Sequence, residues 1–144
     1  MTYKESLSIV AIALTFIAFY PYIRSIMQGK IKPHLFSWVI WGSTTFIVFL
    51  AQLEDNYFTS DPLWAVVILT TVDVFGFGPT LRKAYVYPFE EQLTFFALFA
   101  ARNVIVIAAL ENYSLTTVLF PAVIATACLL LMLMVTYRRR ALAI

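Results

Sequence analysis

Five apolar stretches, at about residues 6–26, 35–53, 62–81, 91–110 and 115–137, are separated by short polar links. A helix needs about 20 apolar residues to cross the hydrocarbon core of a bilayer, and each stretch meets that length. Of the 144 residues, 62% are hydrophobic and 12% are charged. Soluble domains carry about 25% charged residues, so this chain cannot cover itself with polar surface and takes lipid as its solvent. Backbone groups in lipid must be satisfied within the spanning segment, and no stretch alternates as a barrel strand does. The expectation is an all-α integral membrane protein of about five transmembrane helices in a single domain, 1–144. The first stretch runs on into Tyr20-Pro21-Tyr22-Ile23-Arg24 without a small-x-small site, as a retained span would. Cys128 is the sole cysteine and reads as a small apolar residue of the last span, with no intrachain disulfide and no metal cluster.

Charge sets the expected orientation. Arg24, Lys30 and Lys32 lie between the first two stretches, Arg82 and Lys83 between the third and fourth, and Arg138, Arg139 and Arg140 after the fifth. The other side has Lys4 and the acids Glu5, Glu54, Asp55, Asp61 and Glu111. Cationic residues gather in cytoplasmic links, which puts the N-terminus outside and the C-terminus in the cytoplasm of a bacterial-type inner or plasma membrane. The arginine run reads as a topology anchor, with a lipid-headgroup or partner site as the alternative. These cations flank apolar spans, so nucleic acid is not an expected partner.

One stretch, 72–85, organises the rest. It places Asp73 in the middle of a span, then Gly76, Gly78 and Pro79 near its end, then Arg82 and Lys83. The ending repeats an earlier one: Pro21-Tyr-Ile-Arg24 matches Pro79-Thr-Leu-Arg82, and each is followed by a polar link with a proline, Pro33 or Pro88. Each then runs through a helix to Ala-x-Leu-Glu and a short Asn/Tyr turn, before an apolar helix opening on Pro62 or Pro121. The repeat units, about 20–57 and 78–114, begin two helices apart and so share one orientation, which makes this a weak parallel internal repeat. Proline removes a backbone donor and kinks a helix, so Pro21 and Pro79 read as helix ends or as hinges, and Gly76 and Gly78 strengthen the hinge reading for the third helix.

Asp73 and Arg102 are ionisable residues near mid-membrane, on consecutive antiparallel spans and at similar depth. Such residues usually pair or line a cavity. An Asp73–Arg102 ion pair is the simplest expectation, either as a structural strut or as a gate, a proton-sensitive pair or a clamp for an anionic group. Asn103 points about 100° around the helix from Arg102, so both are not expected to face one neighbour squarely. The second helix carries Ser37, Trp41, Thr44 or Thr45, and Val48 at helical spacing. Trp41, beside Gly42, and Thr45 are candidates to line a cavity; Trp38 reads as an interface anchor, and Ser43, Thr44 and Thr45 can equally serve close packing. His34, the sole histidine, reads as a satisfied interfacial residue with pH sensing as the alternative. Glu90 and Glu91 suit the dipole at the start of the fourth helix. No P-loop, nucleophile elbow, paired metal-ligand spacing or Gly-x-Gly-x-x-Gly is present, so no enzyme, metal or cofactor is expected.

The residues Pro21-Tyr-Ile-Arg-Ser-Ile-Met-Gln-Gly-Lys30, followed by Ser37, Trp38 and Trp41-Gly42, resemble the PQ-loop superfamily, which includes the SWEET and SemiSWEET (MtN3-like) sugar transporters. The resemblance covers about 20–53, with a fainter echo at 78–110. Tyr22 and Thr80 stand where the family pattern has glutamine, and five helices differ from the family's three or seven. The resemblance implies a parallel helical bundle with an extracellular N-terminus, a pathway built from two bundles, and hence a homo-oligomer. The favoured expectation is a small transporter moving a small polar solute, with proton coupling as one form. Asp73 and Arg102 would gate or bind, and Trp41, Asn103 and Thr45 would line the site. A non-transporting accessory or assembly protein is the alternative, and a membrane enzyme acting on lipid-linked substrates is the third.

Overall fold

A computed structural model describes residues 2–53 and 62–142, together with the side chains of these except 47–53 and 62. The acids Glu54, Asp55 and Asp61, the first Asn/Tyr turn and the side chain of Val48 lie outside the described residues. Among the described residues there are five α-helices: α1 (Tyr3–Met27), α2 (Leu35–Leu53), α3 (Pro62–Val86), α4 (Leu93–Ala109) and α5 (Leu115–Leu142). One 3-10 turn, Pro88–Glu90, joins α3 to α4, and there is no strand among the described residues. Three segments, Tyr3–Met27, Leu63–Val86 and Leu115–Leu142, are long and apolar enough to cross a membrane, and Leu93–Ala109 is a shorter apolar helix. The chain is an all-α, membrane-embedded protein.

Local sequence explains where the helices start and stop. Thr2 and Glu5 form a capping box at the start of α1. Gly29, at φ 66°, ends α1: its N–H donates to the Ile26 carbonyl and that of Lys30 to the Ser25 carbonyl. The left-handed conformation carries no side-chain penalty at glycine. Ser114 caps α5, with its hydroxyl accepting from the Thr117 N–H at 3.3 Å and the Thr117 hydroxyl accepting from the Ser114 N–H at 3.0 Å.

The prolines do not stop the helices. α1 runs through Pro21 to Met27, α3 through Pro79 to Val86, and α5 begins before Pro121 and runs through it. This corrects the expectation of helix ends at Pro21 and Pro79 and of a helix opening on Pro121. Each proline removes one intrahelical hydrogen bond. The next turn compensates by burying Tyr22 after Pro21, and Thr80 and Ala84 after Pro79.

The helices pack in the order α2, α3, α5, α4, α1. Helix α5 stands between α3 and α4, which have no backbone contact of their own among the described residues. The ends of this arc, α1 and α2, meet through side chains: Trp38 Nε1 donates to the Tyr22 hydroxyl at 3.2 Å, and Phe19 meets Trp38 edge-on. The α1–α4 and α2–α3 interfaces exchange if α1 is swapped with α3 and α2 with α4; α5 has no counterpart between α1 and α2 among the described residues.

The end of the arc that carries most of the cations is tied by charge. The Lys83 ammonium sits 2.8 Å from a Glu91 carboxylate oxygen and 3.6 Å from Glu90, and it also donates to the Lys32 carbonyl. Arg139, on α5, donates to the carbonyls of Pro88 at 3.0 Å and Glu91 at 2.7 Å. These contacts join α3, the α3–α4 link, α5 and the α1–α2 link. Glu91 lies in the link ahead of α4 rather than inside that helix, and it is 4% exposed. Burial pushes its carboxyl above the usual range, and the Lys83 hydrogen bond and charge oppose that rise.

Two outcomes are expected at this junction. Lys83→Met leaves the Glu91 carboxylate buried without its partner and lowers stability in detergent by about 3 kcal/mol, whereas Lys83→Met with Glu91→Gln loses clearly less than the two single changes summed. Thermal unfolding of the four proteins checks this. The raised carboxyl binds its proton more readily folded than unfolded, so its contribution to stability is fullest below the ordinary value of 4.5 and falls as pH rises through the raised one. A melting series against pH should show that fall in the wild type and lose it in Glu91→Gln.

Candidate functional site

A cavity of about 820 Å³ lies inside the arc and is lined from all five helices. Helix α2 contributes Trp38, Trp41, Gly42, Thr44 and Thr45; α3 contributes Asp73 and Phe77; α4 contributes Phe95, Phe99, Arg102 and Asn103. Phe19 of α1 and Phe120, Ile124 and Cys128 of α5 complete much of the wall. Volumes of about 300–1,000 Å³ are typical of small-molecule sites. The wall is mostly apolar and rich in aromatic rings, with a few polar groups.

Asp73 and Arg102 both reach this cavity, but they do not form the ion pair that their sequence positions suggest. Among the described residues the ion pairs are Lys32–Glu90, Lys83–Glu90 and Lys83–Glu91. Asp73 Oδ1 and Arg102 Nε are buried and have no hydrogen-bond partner. The cause is the packing order: consecutive helices were expected to be neighbours, and α5 separates α3 from α4.

Neighbouring groups hold the Arg102 side chain and the Asp73 backbone in place. The Arg102 guanidinium donates from Nη1 to Asn103 Oδ1 at 3.2 Å and lies 6.0 Å from the Phe99 ring centre. Asn103 is fully buried, and its amide donates to the Phe99 carbonyl at 2.8 Å. Arg102 and Asn103, adjacent on α4, both line the cavity, and the long arginine stem brings its head to its neighbour's amide. Trp41 donates from Nε1 to the Asp73 carbonyl at 3.2 Å, which fixes α2 against α3 beside the acid. Thr45 lines the cavity, but its hydroxyl donates to the Trp41 carbonyl at 2.8 Å within α2.

The four hinge candidates separate by environment. A Cβ on Gly76 would lie 2.5 Å from Trp41 Nε1, so this glycine admits the indole against α3. A Cβ on Gly78 would meet nothing within 4 Å. Pro21 and Pro79 lie one residue before Tyr22 and Thr80, which both bond to α2. The Thr80 hydroxyl bonds to buried Ser37 at 2.8 Å.

Phe19, Tyr22, Phe77 and Phe95 were not singled out from the sequence as site residues, and Trp38, read there as an interface anchor, lines the cavity. Tyr22, Phe19, Trp38, Phe95 and Phe77 form an aromatic cluster next to the cavity on its cation-rich side, with ring centroids 4.4 Å apart for Tyr22–Phe95 and 4.8 Å for Trp41–Phe77. Phe95, Phe96 and Phe99 follow helical spacing, a signal visible in the sequence but shared with any apolar membrane helix. His34 lies at the start of α2, outside the cavity wall, and its Nδ1 is buried without a partner. No protein-family model, curated protein or solved structure matches the chain.

The contrast between the two glycines is testable. Gly76→Ala displaces the Trp41 indole and lowers stability by about 1–3 kcal/mol through overpacking. Gly78→Ala leaves stability unchanged or raises it by up to about 1 kcal/mol through helix propensity. Thermal melts followed by tryptophan fluorescence separate the two, because Gly76→Ala should also shift the emission.

Proposed function

We propose that the protein is a small membrane transporter that moves a small polar solute through the α1–α5 cavity. The observation that carries this reading is the pair of unpartnered polar groups, Asp73 Oδ1 and Arg102 Nε, in the wall of one cavity of about 820 Å³. Charged groups deep in a membrane helix bundle are costly, and they usually line a solute or ion path when they are not paired with each other. A strut holding two helices together would need the acid and the base in contact, and they are not. That favours transport over the accessory reading. The sequence resemblance at 21–30 and 37–42 favours the same class, and the proposal includes a PQ-loop-like parallel repeat, an outside N-terminus, a cytoplasmic C-terminus and a homodimer in the membrane.

Alternating access on this plan closes the cytoplasmic side by the Tyr22–Trp38 aromatic cluster and the Lys83–Glu91 tie. Opening that side requires both to separate, with bending at Pro21 and Pro79, where each helix lacks one backbone bond. A proton could accompany the solute through Asp73.

Purified protein reconstituted in liposomes should show saturable uptake of a small polar solute. Sugars, amino acids and small carboxylates are tested with and without a pH gradient. Uptake should fall at least tenfold in Asp73→Asn and in Arg102→Gln while both variants remain monodisperse and helical. Folded variants that transport like the wild type, or no uptake of any of these solutes, would overturn the reading.

A further inference from the structure

Two groups of opposite charge line the cavity without forming an ion pair with each other. One is a carboxylate on α3 and the other a guanidinium on α4, each with a buried atom that lacks a partner. Their immediate neighbours are already committed: Trp41 Nε1 serves the Asp73 backbone carbonyl rather than its carboxylate, and the Asn103 amide nitrogen serves the Phe99 carbonyl. The rest of the wall is largely apolar and includes Phe77, Phe96, Phe99, Phe120 and Ile124.

Each simple ligand class meets only part of this wall. A neutral polyol offers hydroxyls to an aromatic surface that has few groups to receive them. A monocarboxylate satisfies Arg102 and leaves Asp73 facing a like charge. An amine satisfies Asp73 and leaves Arg102 unmet. A molecule with an ammonium at one end and an acid group at the other satisfies both, because guanidinium binds an acid group through two parallel donors and carboxylate accepts from ammonium. Buried binding sites discriminate through the group left unpaired by the wrong ligand.

We infer that the cavity binds a zwitterion, with its ammonium at Asp73, its acid group at Arg102 and an apolar body against the phenylalanines. This rests on the reading of the cavity as the solute path and names the class of solute. The same chemistry occurs in a free α-amino acid and in an ethanolamine phospholipid headgroup.

The test is binding to purified full-length protein by isothermal titration, independent of uptake. The probes are phenylalanine, phenethylamine, 3-phenylpropionate, glucose and glycerophosphoethanolamine. Phenylalanine or glycerophosphoethanolamine should bind at least tenfold tighter than either single-charge analogue, and glucose should not bind. Asp73→Asn should weaken the zwitterion at least tenfold without weakening 3-phenylpropionate, which loses a like charge; Arg102→Gln should weaken the zwitterion similarly without weakening phenethylamine. If either variant fails to fold, the ligand series on the wild type still decides. Single-charge analogues binding as tightly as both zwitterions, or glucose binding best, would overturn the inference. Preference for phenylalanine assigns a free solute and preference for glycerophosphoethanolamine a lipid headgroup; either supports the zwitterion. Zwitterion binding without uptake would remove the transport reading alone. Saturable glucose uptake lost in both variants would keep transport and remove the zwitterion.

Discussion

Helix α5 stands between α3 and α4, and the site depends on that placement. An acid and a base at similar depth on adjacent helices would meet and neutralise each other. With a third helix between their backbones, Asp73 and Arg102 instead look into a shared space with buried polar atoms unsatisfied. In a medium without water, such groups are costly, so the arrangement persists only where the surrounding packing holds it. That packing is specific: Asn103 anchors the arginine, and the Trp41 indole, lying against Gly76, anchors the backbone at the acid.

The arc of helices gives this space its shape. Four backbone interfaces run α2–α3–α5–α4–α1, and the fifth, between α1 and α2, is made by aromatic side chains. Backbone interfaces bury continuous rows of side chains, whereas the α1–α2 closure rests on Phe19, Tyr22 and Trp38 and one hydrogen bond of 3.2 Å. This closure is therefore the one seam of the ring without a backbone interface among the described residues. The charged tie among Lys83, Glu91 and Arg139 lies beyond it and links the loops of the same end.

The prolines illustrate how tertiary burial overrides a local signal. Proline is a helix-breaker by its missing donor, yet α1, α3 and α5 all continue through one. The residues immediately after Pro21 and Pro79 are Tyr22 and Thr80, which are buried and bonded to α2. Continuing the helix keeps those two partners in place, and this offsets a single lost backbone bond.

From sequence alone, the apolar stretches and scarce charge were enough to determine an all-helical protein with lipid as its solvent, because hydrophobic length and composition are local properties. The sequence also located Asp73, Arg102, Asn103, Trp41 and Thr45 as candidates, since a charged or polar residue in an apolar run is visible without knowing its neighbours; all five line the cavity. Only the tertiary structure decided which helices touch. That choice separated the expected Asp73–Arg102 pair, made Gly76 a seat for an indole, and recruited Glu91 to Lys83 rather than to a helix dipole. The physical reason is that five helices of similar apolarity can be ordered in many ways. Sequence periodicity marks no partner for a face surrounded by lipid-like residues, and shape complementarity among side chains selects the order.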